Sequence, residues 1–378
     1  MKIKINFKKL FIILGADLLI AACIVGLFAY DALLAPKQAA PITLMPTLTK
    51  EFGLPDMTPP ASTPNTEEGP TSEPSPTPVP SEVYEEKYSA TGLSVLGYEL
   101  LTQKNYENSP YQRTVTQIAD DVGSGARFII YKVEIPESDG EKITYYVVDL
   151  FVNQVSDILT NVAVNEDGEL SKSDVAKQAE DVGAKLAITG DYFRNSKIGY
   201  IVRNGMLYRD VSSKNDYCIL KTDGELICVD GKTFESKKSI YTENVWQCWA
   251  FGPSLLTSKG SVISNVGYFN LNGGRYHSID ILDNGIQNKH PRSAIGYIDD
   301  GHYLLVLVDG RSDGYSTGAS LTELSQIMYD EGCRRAYNLD GGRSAVLWYN
   351  GEVINTPYKD GREISDIIYI KKGSDLNG

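Results

Sequence analysis

The sequence predicts an α+β protein: a single mixed head domain, rich in β-hairpins with a few helices, preceded by a transmembrane helix and a disordered proline-rich stalk. Three observations support this prediction. An apolar stretch lies near the N-terminus, and 12 of the 17 prolines fall between Pro36 and Pro80. Beyond them, short apolar runs alternate with Asp-Gly and Asn-Gly turns, which is the pattern of a hairpin-rich domain.

The N-terminal region predicts a membrane anchor. Residues 1–9 contain four lysines and form a basic cytoplasmic tail, and residues 10–30 are apolar except for Asp17. A helix of that length spans about 30 Å, the thickness of the hydrocarbon core. The lysines on its N-terminal side place the tail in the cytoplasm and the rest of the chain outside. We therefore expect an uncleaved single-pass anchor in a bacterial cell membrane. A lipoprotein signal ending at Cys23 and a cleaved signal peptide are the alternatives.

The next segment predicts a spacer. Residues 31–87 are rich in Pro, Thr, Ser and Glu and contain few aliphatic side chains, so they bury too little apolar surface to fold. We interpret them as an extracytoplasmic stalk that carries the head domain, residues 88–378. The formal net charge of −13 argues against nucleic acid as a partner.

The head is predicted to combine hairpins with two helices. The apolar segments Arg127–Ile135 and Ile143–Val152 are typical of strands, and Ala184–Phe193 is predicted to be a buried strand. Ser171–Gly183 and Ser320–Gly332 have apolar residues at helical spacing. Ser171 or Ser173 is placed to cap the first helix, and Gly332 to stop the second. Further hairpins, each with Asp-Gly or Asn-Gly at its turn, are predicted in Tyr217–Asp230, Ile295–Val308 and Ala345–Ile354.

The cysteines allow two interpretations. Cys218 and Cys228 lie five residues on either side of Asp223, so a turn through residues 222–224 places them opposite each other in a hairpin. A disulfide and a pair of free buried thiols both remain open. The absence of a CxxC pair from the sequence argues against a structural zinc site.

Most standard catalytic motifs are missing from the sequence. It contains no P-loop and no HExxH. The segment 309–314 (DGRSDG) has an arginine where an EF-hand has a ligand, and Ser320 stands where the closing glutamate belongs. No cofactor is predicted with certainty, and a looser divalent-cation site for calcium or magnesium remains open.

Three predicted strands end in an aspartate beside glycine. These aspartates are Asp191, Asp309 and Asp340, and each follows an apolar run. A carboxylate directly after a buried strand is held by a rigid scaffold, and the glycine lets a ligand approach the backbone. Any one of them is also explained by ordinary turn chemistry. Three such ends, together with residues 289–294 (KHPRSA), favour a shared pocket.

These segments resemble the phosphodiester glycosidase family, whose bacterial members are associated with exopolysaccharide. The resemblance covers about 190 residues, in the order in which the family has its motifs, and the family usually has a glycine where Arg343 stands. The matching segments are 187–193 (AITGDYF), 201–209 (IVRNGMLYR), 250–256 (AFGPSLL), 290–296 (HPRSAIG), 308–311 (VDGR), 318–323 (GASLTE), 332–333 (GC), 338–344 (NLDGGRS) and 362–366 (REISD).

The resemblance implies cleavage between a sugar anomeric carbon and a phosphodiester oxygen. Because the leaving phosphomonoester is already a good leaving group, the reaction chiefly needs a cation for the phosphate, a carboxylate at the oxocarbenium-like carbon and a base for water. The candidate catalytic residues are Asp191, Asp309, Asp340, Glu323 and His290. The candidate phosphate- or sugar-binding residues are Arg292, Arg311, Asn204, Asn338, Gly341, Gly342 and Ser344.

The sequence therefore predicts a membrane-anchored, extracytoplasmic hydrolase that releases a sugar from a sugar-1-phosphodiester in a cell-surface or exopolysaccharide glycan. Its predicted partners are that glycan and the membrane. Two alternatives remain. One is a non-catalytic glycan-binding module, which Arg343 in place of glycine favours. The other is a metal-dependent phosphodiesterase that cleaves the P–O bond.

Overall fold

The computed structural model describes residues 42–43, 109–195, 197–213, 215–231, 244–263 and 288–373. The predicted anchor lies outside these ranges, and so does the predicted stalk apart from residues 42–43. Within the described ranges, no helix combines the length and the apolar character that a membrane crossing requires.

Strands dominate the described part of the chain. In chain order they are β1 (Ile42–Thr43), β2 (Thr114–Gly123), β3 (Ala126–Pro136), β4 (Lys142–Val152), β5 (Leu159–Val162), β6 (Ala184–Thr189), β7 (Ile201–Arg203), β8 (Met206–Arg209), β9 (Tyr217–Lys221), β10 (Leu226–Val229), β11 (Val245–Trp249), β12 (Arg292–Asp299), β13 (His302–Val308), β14 (Arg335–Leu339), β15 (Leu347–Tyr349), β16 (Glu352–Val353) and β17 (Asp366–Lys371). The α-helices are α1 (Val175–Asp181) and α2 (Leu321–Asp330).

These strands form three antiparallel sheets. The first sheet has the order β1-β8-β7-β11-β9-β10, the second β14-β12-β13-β4-β3-β2, and the third β16-β15-β6-β17-β5. One buried core contains side chains from all three, including Leu150 of the second sheet, Ile188 of the third and Trp249 of the first. A second core lies between the other face of the second sheet and helix α2. The three sheets thus converge on shared side chains.

The predicted hairpins are confirmed. The two long strands pair with Arg127 opposite Phe151, and the hairpin around Asp223-Gly224 joins β9 to β10. The turns at Asp300-Gly301 and Asn350-Gly351 join β12 to β13 and β15 to β16. Local turn chemistry therefore predicts these connections correctly.

The first helix is shorter than predicted, and its predicted caps are wrong. Its N-cap is Asp174, not Ser171 or Ser173. Ser173 exchanges two backbone hydrogen bonds with Ile364, at 3.1 and 3.0 Å. This pairing holds Ser173 in an extended segment, so the helix begins after it.

The strand predicted over Ala184–Phe193 ends early, at Thr189. At the next residue, a Cβ atom on Gly190 would lie 2.5 Å from Oδ1 of Asp366. The chain therefore passes too close to β17 for any side chain at that position. A 3-10 turn over Phe193–Asn195 follows.

The second helix begins as predicted. The Ser320 side chain accepts a hydrogen bond from the Glu323 backbone N–H at 3.1 Å, and the Glu323 carboxylate accepts one from the Ser320 backbone N–H at 2.8 Å. This reciprocal pair is a capping box. Gly332, the predicted stop, has a φ of +88° just beyond the helix end.

Candidate active site

The candidate site forms where strand ends from the three sheets meet. Asp191 follows β6 and Asp340 follows β14, and the Asp340 backbone N–H donates to the Gly190 carbonyl at 3.0 Å. Arg203 is the last residue of β7, and Asp366 is the first residue of β17. Two of the three predicted strand-end aspartates, Asp191 and Asp340, are therefore neighbours.

A buried arginine links two of the carboxylates. Arg203 Nε donates to Asp366 Oδ2 at 2.6 Å, and Arg203 Nη2 donates to Asp191 Oδ2 at 3.1 Å. Arg203 and Asp366 are both 0% exposed. Asp366 also accepts the Asp191 backbone N–H at 2.6 Å. Because a buried charge is costly unless it is paired, this network fixes the geometry at the base of the site.

Protein donors surround the Asp191 carboxylate. Its Oδ1 accepts the Tyr192 backbone N–H at 2.7 Å. Its Oδ2 accepts the Ala250 backbone N–H at 2.9 Å in addition to the Arg203 guanidinium. Asp191 is thus fixed from several directions, and its negative charge acts on the neighbouring Asp340.

Asp340 has a looser set of partners. Arg362 Nη2 lies 3.4 Å from each of its carboxylate oxygens. The pKa of Asp340 is raised to about 6. Burial and the negative charge of Asp191 raise this pKa, whereas Arg362 and a hydrogen bond from Ser344 lower it. An aspartate with this pKa exchanges protons near neutral pH, as a general acid or base must.

Aromatic side chains border this carboxylate. The Arg362 guanidinium carbon lies over the Tyr192 ring, 5.5 Å from its centroid. The Tyr192 and Phe251 ring centroids are 5.5 Å apart. Burial raises the pKa of Tyr192, and the charge of Asp340 raises it further. An aromatic surface beside a carboxylate and a guanidinium suits a sugar with an attached phosphate.

The turn after Asp340 leads to a second group of predicted residues. A Cβ on Gly341 would lie 2.7 Å from the Pro291 carbonyl oxygen. Gly342 has a φ of +62°, and a Cβ there would lie 3.4 Å from Arg311 Nη2. Close approach of the Pro291 carbonyl therefore requires glycine at position 341, and the left-handed backbone favours glycine at position 342.

Arg311 provides a cation on that side of the turn. Its Nε donates to His290 Nδ1 at 3.2 Å, so His290 Nδ1 acts as an acceptor. Its guanidinium carbon also lies 5.2 Å from the centroid of the Tyr358 ring. His290 and Arg311 thus come together as predicted.

Arg292, the other predicted phosphate ligand, is largely engaged by the backbone. Its Nε donates to the Ala319 carbonyl and its Nη2 to the Asn288 carbonyl, both at 2.9 Å. Burial and the nearby Arg311 lower the pKa of Arg292 to about 10. These contacts favour a scaffold role for Arg292 beside Arg311.

The structure gives two of the predicted catalytic carboxylates other surroundings. Asp309 Oδ1 accepts the Asn355 amide at 2.7 Å, and its Oδ2 accepts the Tyr315 hydroxyl at 2.9 Å and the Thr356 N–H at 3.0 Å. Glu323 is occupied in the capping box of α2. Burial acts to raise the pKa of Glu323, but hydrogen bonds from Ser320 and Lys289 outweigh this effect, so the pKa lies below its usual value. Catalytic roles for these two residues stay predictions.

The two predicted asparagines differ in their surroundings. Asn204 lies in the turn between β7 and β8, where its side-chain Nδ2 donates to the Thr160 carbonyl at 2.7 Å and its Oδ1 accepts the Thr160 N–H at 2.9 Å. Asn338 Nδ2 donates to the Gly252 carbonyl at 2.8 Å. Within the described ranges, the buried Asn338 Oδ1 has no hydrogen-bond partner. Asn204 therefore fixes a turn, whereas Asn338 has an unused acceptor.

Sequence reasoning assigned no role to four residues of this network: Tyr192, Arg203, Arg362 and Asp366. All four lie in segments that carried the family resemblance, 187–193, 201–209 and 362–366. The usable signal was a charged residue at the edge of an apolar strand, as Arg203 is after Ile201 and Val202. Such a residue needs a buried partner of opposite charge.

The described residues were compared with the divalent-cation site that the sequence left open. Within them, no three side chains of His, Cys, Asp or Glu gather in a way that could hold a metal ion. The divalent-cation site that the sequence left open therefore has no ligand set in these ranges.

An open groove of about 540 Å³ adjoins Arg362. Arg343, which stands where the family usually has glycine, lines this groove, and its Nε donates to the Gly361 carbonyl at 2.6 Å. The other lining residues are Lys172, Asp174, Lys359, Asp360, Gly361 and Glu363.

Known proteins resemble this chain in sequence and in fold. Protein YomE of Bacillus subtilis strain 168, an uncharacterised protein derived from the SPbeta prophage, is 26% identical over 195 residues, which cover 50% of this chain and 28% of YomE. The chain thus spans little more than a quarter of that relative's length. The catalytic domain of zebrafish N-acetylglucosamine-1-phosphodiester alpha-N-acetylglucosaminidase, auto-inhibited by its pro-peptide, superposes with a TM-score of 0.53 at 19% identity, covering 71% of this chain and 90% of that domain. At that identity the likeness concerns the fold.

A family model described as phosphodiester glycosidase matches residues 182–371, half of the chain. The match includes Asp191, Arg203, Asp340 and Arg362 as well as the turn that joins the two sides of the site. The chain belongs to the phosphodiester glycosidase family.

Proposed function

We propose that this protein is an extracytoplasmic hydrolase that cleaves the glycosidic C–O bond of a sugar-1-phosphodiester, releasing the sugar and leaving a phosphomonoester. The observation that carries the proposal is Asp340, a buried carboxylate whose pKa is raised to about 6 and which lies beside a guanidinium. This pairing brings together the two groups that the reaction needs most, a carboxylate for the anomeric carbon or its attacking water and a cation for the phosphate.

Asp340 is assigned the reacting role because its pKa is raised to about 6 and its contact with a guanidinium is longer than that of Asp191. Its contacts with Arg362 are 3.4 Å long, whereas Asp191 receives three donors within 3.1 Å. In its ionised form Asp340 accepts a proton from water, and the departing phosphate needs no strong acid. Asp191 supports it by electrostatics and by fixing the neighbouring backbone.

Two arginines are assigned to the phosphate. Arg362 contacts Asp340 and Ser344 of the turn over residues 340–344, Arg311 lies near Gly342 of the same turn, and a guanidinium binds phosphate oxygens in a bidentate manner. Arg362 Nε donates to Ser344 Oγ at 2.7 Å, which fixes the direction of its outer nitrogens. The ring pair of Tyr192 and Phe251 offers a surface for the sugar.

The cellular setting is the second part of the proposal. The lysines and apolar residues at the N-terminus support a membrane anchor with the head outside the cell, and residues 31–87 support a spacer. A cell-surface or exopolysaccharide glycan with phosphodiester-linked sugars is the substrate within reach of a head held in this way.

The test is to locate the bond that is cleaved. Full-length protein is incubated in oxygen-18 water with UDP-N-acetylglucosamine and with a methyl-phosphate diester of N-acetylglucosamine, with and without EDTA, and the products are analysed by mass spectrometry. Label in the sugar supports C–O cleavage and the proposed glycosidase. Label in the phosphate, lost with EDTA, supports a metal-dependent phosphodiesterase instead. Glycan-array binding without turnover of the bound glycan supports the non-catalytic module.

A further inference from the structure

Two cysteines face each other across the β9–β10 hairpin. Cys218 and Cys228 are direct register partners, as the hairpin prediction required, and both are free thiols in the structure. Cys218 is 0% exposed, whereas Cys228 is partly exposed. The hairpin thus contains one buried thiol and one on a partly exposed residue that packs against the core.

The hydrogen-bond pattern of the hairpin defines the type of pair. The Lys221 N–H donates to the Glu225 carbonyl at 2.9 Å, so these residues belong to a hydrogen-bonded position. Hydrogen-bonded and non-hydrogen-bonded pairs alternate along antiparallel strands. The pair of Cys218 and Cys228 lies three register steps farther from the turn than the pair of Lys221 and Glu225. It is therefore a non-hydrogen-bonded pair.

Non-hydrogen-bonded pairs bring side chains closest together. Their Cα atoms are typically about 4.5 Å apart, at the short end of the range of about 4.4–6.8 Å that a disulfide spans. The two thiols are already within hydrogen-bonding contact of each other. A bond between them needs little backbone movement, and a disulfide that involves the partly exposed Cys228 is open to reduction.

We propose that Cys218 and Cys228 are a reversible disulfide site, oxidised by thiol–disulfide exchange with a small-molecule disulfide. The Cys228 thiolate attacks one sulfur of the oxidant, and the other sulfur leaves as a thiol after taking up a proton. The Cys218 sulfur then attacks the Cys228 sulfur, its proton passes to the departing sulfur of the oxidant, and the second thiol is released. Two protein thiols are oxidised, and one disulfide is reduced to two thiols.

The disulfide would cross-link the hairpin that contacts β14, the strand that leads to Asp340. Cys228 Sγ lies 3.6 Å from the Ala336 carbonyl oxygen in β14, and Cys218 is the register partner of Trp249 in β11. Closing the loop removes conformational freedom from the unfolded chain and thereby stabilises the folded hairpin.

The experiment maps the cross-link in the full-length chain. The protein is equilibrated with mixtures of reduced and oxidised glutathione, quenched in acid, alkylated under denaturing conditions and digested with trypsin. Cleavage after Lys221 separates the two cysteines, so a disulfide appears as two joined peptides. We expect these joined peptides to increase with the oxidised fraction and to disappear again in reduced glutathione. Alkylation of both cysteines under full oxidation, or a bond to another cysteine, would overturn the proposal.

Matched variants test whether the cross-link and the redox dependence of Tm come from Cys218 and Cys228. We expect Cys248→Ser, which removes a buried thiol from the neighbouring strand, to retain the cross-link. We expect the wild-type chain to have a Tm about 5 °C higher when oxidised and Cys228→Ser to lose this redox dependence. A redox-dependent Tm that persists in Cys228→Ser would contradict the assignment. If that variant fails to fold, the peptide map of the wild-type chain decides alone.

Discussion

The strand ends at Asp309 and at Asp340 have the same local design and different surroundings. In each, a buried strand is followed by aspartate and glycine. Asp309 accepts hydrogen bonds at 2.7–3.0 Å from Asn355, Tyr315 and Thr356. Asp340 instead faces Arg362 at 3.4 Å from both of its oxygens.

We infer from this difference that Asp309 holds the fold and that Asp340 is the carboxylate that reacts. The donors around Asp309 come from the protein itself and leave its oxygens satisfied, so it fixes the segment that carries Asn355 and Thr356. Burial raises the pKa of both aspartates. At Asp309 hydrogen bonds from Asn355, Thr356 and Tyr315 oppose it, whereas Asp340 has a longer contact with its guanidinium and a pKa raised to about 6. A carboxylate near a site is therefore judged by the donors it already has, since only unused basicity is available to a substrate.

The largest effect is expected from Asp340→Asn. The amide keeps the size of the side chain but cannot take up a proton, so we expect kcat to fall by about 10³-fold. Turnover of the sugar phosphodiester, with the circular dichroism spectrum as a check on folding, is the measurement. Full activity in a folded Asp340→Asn protein would remove Asp340 from the reacting role.

The second effect concerns the base of the site. Replacing Arg203 with Met leaves the buried carboxylates of Asp191 and Asp366 without their shared cation, so we expect a loss of about 3 kcal/mol in the free energy of unfolding. Urea denaturation measures it. Arg209→Met is the matched control, because Arg209 donates to the carbonyls of Ile198 and Phe193. An equal loss in both variants would contradict the special role of the ion network.

The third effect is a pH dependence with a defined sign. The pKa of Asp340 is raised to about 6, so the carboxylate is ionised above that pH and protonated below it. Because the ionised form is the base, we expect kcat/KM to fall about tenfold per pH unit below pH 6, reaching about 100-fold at pH 4. Arg362→Gln removes the cation that lowers this pKa, so its inflection is expected at higher pH. A flat profile through this range in folded protein would exclude Asp340 as the titrating group.

Local sequence signals predicted the hairpins, helix α2, the register of Cys218 and Cys228, and the meeting of Asp191 with Asp340. The first three follow from turn residues and capping, which act over a few residues. The meeting of Asp191 with Asp340 was expected from the repeated pattern of an aspartate beside glycine at a strand end. The pairing of Arg203 with Asp366 joins positions 163 residues apart, so it depends on how the sheets pack. The Ser320–Glu323 spacing did contain a usable signal, because it is that of a capping box.

The smallest effect is expected from a substitution of Asp309. In Asp309→Asn an amide nitrogen replaces one carboxylate oxygen. The N–H group of either Asn355 or Thr356 then faces another donor instead of an acceptor. We expect a loss of about 2 kcal/mol in the free energy of unfolding and a kcat within about threefold of wild type, since Asp309 faces its own protein donors. Denaturation and turnover measured on the same preparation separate the two effects. A loss of kcat as large as that of Asp340→Asn, at unchanged stability, would show that the two strand ends share the chemistry, and the distinction drawn from their hydrogen bonds would be wrong.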